Sequence, residues 1–238
     1  MASLKETEAD LRLRVLLLVS DVVPDEDRVA AVEVLGAAGK LAIPLLLEKL
    51  EGEDIEFPAA HIETGPMNPG RPATMTTTAH FQIERVLYRI VSPKAQELKS
   101  SAPANDLDAL RPITAPVAAR TPLRYVDDWP AFWSAHKTES LEQMRAFAFD
   151  ELERRWAALA QGQRPITTPT PSRSSTVRPH RDDAEARALR ASFAQLRDAF
   201  DAARLRPADR AHALQVLKAN KTSALQPHVA LMLQALGS

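Results

Sequence analysis

Apolar residues recur along most of this chain at intervals of three and four, the spacing of a buried helix face, and Pro- and Gly-rich stretches interrupt the pattern. Residues 7–20 predict a first helix, with Leu4, Leu11, Val15 and Leu18 on one face and Leu16, Leu17 and Val19 widening it. A helix this apolar has to be covered on more than one side. Residues 21–24 break it, and Asp25 or Asp27 is placed to accept the free amides that open the next helix. Val29, Val32, Leu35 and Gly36 then follow helical spacing, and after Gly39 a second series runs Ile43, Leu46, Leu47, Leu50. The prediction is two short helices joined by a tight turn. Gly39 is the left-handed residue that closes the first, and Pro44 sits in the first turn of the second, where its missing N–H costs nothing.

Residues 52–73 hold Pro58, Pro66, Pro69 and Pro72 with Gly52, Gly65 and Gly70, so no helix passes through them. The flanks 55–63 and 73–79 suit a two-stranded ribbon turning at GPMNPGRP; an irregular binding loop is the alternative reading. From Thr77 the helical period returns with Ile83, Val86, Leu87 and Ile90, a hydroxyl cap is available at 76–78, and the helix stops before Pro93. Five prolines across 92–122 leave room only for short helical pieces. Asp127 or Asp128 then caps a short helix with Pro130 in its first turn and Trp129, Phe132 and Trp133 about one turn apart. Ser140 and Gln143 form a capping box for a longer helix whose inward face is Leu141, Met144, Ala148, Leu152, Trp156 and Leu159. Residues 163–181, rich in Pro, Ser, Thr and Arg, read as a linker. Beyond it Leu189, Phe193, Leu196 and Phe200 mark a strong helix, Pro207 opens another with Ala211, Leu214 and Leu217 inward, and a last one carries Val229, Met232, Leu233 and Leu236.

The pair at 25–52 resembles a HEAT-like repeat, the helical hairpin of α-solenoid proteins common in bacteria. The residues that carry the likeness are Ala30-Ala31, Leu35-Gly36, Gly39 and Ile43-Pro44 with Leu46, Leu47 and Leu50. About one repeat of the chain matches. The resemblance implies a surface for protein–protein contact. The expected fold is all-α: a short, irregular HEAT-like hairpin stack with a long Pro/Gly-rich loop over residues 1–162, the linker 163–181, and a C-terminal three-helix module over 182–238.

Charge adds a division that the periodicity does not show. Residues 1–163 carry 18 Lys and Arg against 25 Asp and Glu, whereas residues 164–238 carry 12 against 6. The two parts could dock on each other or serve different partners, or the composition simply drifts across the linker. The longest strongly apolar run, Val15 to Val19, is five residues, which predicts no membrane span, and the acidic start MASLKETEAD lacks the pattern of a secretory signal. Cytoplasmic residence is the resulting expectation.

Candidate chemistry is sparse. With no Cys there is no thiolate nucleophile and no Cys-ligated metal. Seven glycines supply neither a GxxxxGK nor a GxGxxG loop. The six histidines are scattered; a metal site would need His61, Glu63 and His80 to converge around the long loop. Asp127-Asp128 and Asp182-Asp183 each precede a helix, where acidic caps are expected. The expectation is therefore a non-enzymatic protein with no cofactor and no metal, binding another protein as a homo- or hetero-oligomer. Candidate contact residues are Trp129, Phe132 and Trp133 of the aromatic unit, Met67 and Arg71 at the loop tip, and Arg173, Arg178 and Arg181 of the linker. For the aromatic cluster, core packing is the competing reading. Nucleic acid, bound through the basic linker and C-terminal helices, is the lesser alternative.

Overall fold

The computed structural model describes residues 7–52, 54–62, 73–92, 126–160, 176–177 and 183–238. The class is all-α, with one small sheet attached. The helices are α1 (Glu8–Leu18), α2 (Asp25–Ala38), α3 (Ile43–Leu50), α4 (Ala79–Val91), α5 (Trp129–His136), α6 (Leu141–Ala160), α7 (Asp183–Leu205), α8 (Arg210–Ala219) and α9 (Gln226–Ala235). The strands are β1 (Ile55–Ile62), β2 (Ala73–Thr78) and β3 (Thr176–Val177), in the order β2-β1-β3. Two compact units result, Met1–Leu87 with Arg173–Ser238 and Tyr88–Ser172, so the boundary falls inside α4.

The first unit is built around α1. Thr7 caps it, its hydroxyl accepting the Asp10 amide at 3.1 Å and donating to the Asp10 carboxylate at 3.2 Å. Leu11, Leu13, Val15, Leu17 and Leu18 are all buried, which requires neighbours on several sides. Those neighbours are α2, α3 and α9. Residues 25–52 fold as the two helices their period predicts. Gly39 closes α2 with φ 59° and ψ −127°, a conformation open to glycine alone, and Pro44 lies in the first turn of α3. The axis turns by 110° between them instead of reversing, and each helix packs chiefly on α1 rather than on the other.

The C-terminal helices complete this unit. Leu189, Phe193, Leu196 and Phe200 of α7, Leu217 of α8 and Val229 and Met232 of α9 share one core with Leu13, Leu17, Val22, Val23 and Ala31. The expected boundaries at 162 and 182 therefore do not outline a separate C-terminal module. Each of α7 to α9 has a single apolar stripe, and α1 offers the second face those stripes need. Two ion pairs reinforce the join, Arg204 to Asp10 at 2.8 Å and Arg197 to Asp27 at 3.1 Å. Of the three readings of the charge division, these pairs agree with docking. On α8 it is Ala213 that turns inward with Leu217, four residues on, while Ala211 is exposed.

Asp25 and Asp27 do lie in the first turn of α2, yet neither caps it. Asp25 is drawn to the Arg28 guanidinium at 2.5 Å and Asp27 to Arg197. Arg28 is itself buried. Its Nε and Nη2 donate to the Ser20 carbonyl at 3.2 and 3.0 Å, and Nη2 also donates to the Val23 carbonyl at 2.9 Å. One guanidinium thus satisfies the carbonyls of the α1–α2 turn, which would otherwise be stranded in the core.

Of the two readings of residues 52–79, the flanks adopt the two-stranded ribbon. β1 and β2 pair antiparallel from Glu56↔Thr78 to Ile62↔Ala73, with a bulge between Pro58 and His61, and β3 pairs parallel with Ile55 and Glu56. Pro58 lies past the two residues that β3 covers, where a missing donor is tolerated. Thr78 caps α4 by accepting the Phe81 amide at 3.2 Å, and Asp54 accepts the His80 amide at 2.9 Å.

The Asp10 carboxylate is 2% exposed and Arg204 15%, whereas Arg12 and Glu48 are 38% and 57% exposed. Arg204→Met, which keeps the stem and removes the charge, should therefore destabilise the chain by about 3 kcal/mol, as expected for a buried carboxylate losing its partner. Arg12→Met should cost less than about 1 kcal/mol. Urea unfolding followed by far-UV circular dichroism measures both, and equal costs would show that the first pair is no more buried than the second.

Candidate functional site

The second unit carries the aromatic residues singled out in the sequence. Asp128 caps α5, accepting the Ala131 amide at 2.8 Å. The predicted capping box opens α6: Ser140 Oγ accepts the Gln143 amide at 3.2 Å and Gln143 Oε1 accepts the Ser140 amide at 2.8 Å. Met144 and Ala148 are fully buried and Leu152 nearly so. These caps set where each helix starts and hence which way its rings face.

A ladder of rings follows. Tyr88, near the end of α4, lies edge-on to Trp129 at 4.8 Å between ring centres, and its hydroxyl donates to the Val126 carbonyl at 3.2 Å. Trp129 meets Phe132 at 5.8 Å, and Phe132 meets His136 at 4.7 Å and Phe147 of α6 at 6.0 Å. His136 and Phe147 lie 4.4 Å apart. His136 Nδ1 is 2.9 Å from the Glu139 carboxylate, which fixes the imidazole plane.

Of the candidate contact residues, Trp129 and Phe132 are 4% and 8% exposed. They belong to the core and cannot present a face to a partner. Trp133 is half-buried. Met67, Arg71, Arg173, Arg178 and Arg181 lie outside the described residues. Within the ladder the ring that reaches the surface is Phe147, 45% exposed. Its signal was in the sequence, since it sits beside the Met144, Ala148, Leu152 stripe and not on it.

Charged groups hold the ladder in place. Arg155 bridges α6 to the residue before the α5 cap, donating to both Asp127 oxygens at 3.1 and 2.6 Å and to Glu151 at 2.7 Å. Those hydrogen bonds, that to Asp127 first, raise the guanidinium pKa, and the same contact lowers that of Asp127. Burial pushes Glu151 up, but hydrogen bonds from Arg154 and Arg155 outweigh it and leave the carboxyl below its usual range. Arg145 donates to the Ile90 carbonyl at 2.9 Å, satisfying an acceptor at the end of α4.

Among the described residues no group of three or more His, Asp or Glu is arranged to hold a metal ion. In the first unit the ring nitrogens of His80 face the Gly52 carbonyl, at 3.1 Å, and the Asp54 carboxylate, at 3.8 Å. No helix among these residues is by itself long and apolar enough to cross a membrane. No family model, curated protein or solved structure matches the chain.

The Trp129 indole N–H is buried without an acceptor among the described residues. Trp129→Phe keeps a ring against Tyr88 and Phe132 and removes the orphan donor, so it should be nearly neutral, within about 1 kcal/mol, whereas Trp129→Ala should cost about 3–5 kcal/mol. Urea unfolding monitored by the fluorescence of Trp133 and Trp156 compares the two. Similar losses would mean that the N–H is paired.

Proposed function

We propose that this chain is a non-enzymatic interaction or scaffold protein that binds another protein through a helical surface centred on Phe147. The observation that carries the reading is the braced, exposed ring. Phe147 is 45% exposed yet held against His136 at 4.4 Å and Phe132 at 6.0 Å. A side chain already fixed by its neighbours loses little further freedom on binding, and aromatic anchors of this kind dominate protein interfaces. Nucleic acid is the weaker reading, because Arg197 and Arg204 of the C-terminal helices are engaged by Asp27 and Asp10.

Affinity purification of the full chain from its native host, with crosslinking and sedimentation, tests the proposal. The wild type should bring down a stoichiometric partner or self-associate, and Phe147→Ala should weaken that association by about tenfold or more, as for an interface hot spot, with the helical spectrum unchanged. A monomer with no partner at any concentration would refute the role. An intact complex in the Phe147→Ala variant would refute the site.

A further inference from the structure

His228 lies in the first turn of α9, 2% exposed, and neither ring nitrogen has a hydrogen-bond partner among the described residues. A neutral imidazole buried this way forgoes a donor and an acceptor, a modest cost. An imidazolium would bury two unpaired N–H donors and a full charge, a much larger one.

The surroundings offer little to offset that. From α7 the ring faces Phe193, edge-on at 5.4 Å between ring centres, which brings no charge. The α1–α2 turn contributes the Asp21 carboxylate, whose attraction favours the cation but is outweighed by burial. Arg28, in the same region, is committed to the Ser20 and Val23 carbonyls and to Asp25. The core that α9 shares with α1 and α8 includes Leu13, Leu17, Ala213 and Leu217, none of which carries a charge. The ring's position in the opening turn of α9 adds the positive end of the helix dipole, which also opposes protonation.

We infer that His228 is an acid-sensitive latch, a buried imidazole whose protonation releases the C-terminal helices from α1. Burial holds its pKa down at about 4, against an ordinary 6.5. Because the folded value is depressed, the contribution to stability is complete above the unfolded value and declines as pH falls through 6.5 toward 4. Exchange of a neutral buried group for a solvated cation drives the opening. The imidazolium gains water only by leaving its site beside Phe193, and α9, which packs on α1, leaves with it. Opening uncovers Leu13 and Leu17 of α1.

Every Trp of the chain lies at 129–156, outside this unit, so amide hydrogen exchange is the suitable probe. In the full chain, protection of α1 and α9, corrected for the intrinsic rate, should fall about 30-fold between about pH 7.5 and about pH 5. In His228→Phe the same change should be under about threefold. An undiminished pH dependence in His228→Phe, or none in the wild type, would overturn the latch. If the variant does not fold, NMR titration of the His228 ring in the wild type decides. A midpoint near 4 supports the latch, and one near 6.5 removes its basis.

Discussion

The first unit depends on one constraint: α1 is apolar around most of its circumference. Five of its large apolar residues, Leu11, Leu13, Val15, Leu17 and Leu18, are buried. At about 2 kcal/mol for each large apolar side chain, leaving even one face open to water would forfeit several kcal/mol. No single neighbour can cover so wide a surface. α2 and α3 cover part of it, and α9, brought back from the far end of the chain, covers more. The wide 110° turn between α2 and α3 fits the same need, since it lets both lie on α1 when a tight hairpin would have paired them with each other.

Polar groups inside this unit fall into two kinds. Arg28, Asp10 and Arg204 are buried with partners and therefore specify geometry: the turn after α1 has to present two carbonyls to one guanidinium, and α7 has to bring a cation to the first turn of α1. His228 is buried with none among the described residues, and exclusion of solvent holds it in the neutral form. The unit thus combines pairings that fix how the helices join with one group whose protonation opposes the join.

The second unit solves a different problem. Its rings run from Tyr88 and Trp129 in the interior to Phe147 at the surface, so the outermost ring is supported by inner ones. Capping at Asp128 and Ser140, with Arg155 gripping Asp127 and Glu151, sets the helix starts that make this alignment hold. An aromatic side chain left half in water but unable to swing away is suited to recognising a partner without a large entropic cost.

The sequence by itself determined whatever depends on residues within about four positions of one another. The Ser140–Gln143 box, the Asp128 and Thr78 caps, Gly39, Pro44 and the inward faces of α4 and α7 are of this kind, because helix starts, stops and stripes follow from local hydrogen bonding and period. Periodicity names the buried side of a helix and says nothing of what lies against it. Only the tertiary structure decided that α7 to α9 close the core of α1, that Asp27 pairs with an arginine 170 residues away, that Trp129 and Phe132 turn inward, and that His228 is sealed off. Each of these outcomes is a competition among distant surfaces for the same water-free space, and such a competition has no signature in any short stretch of chain.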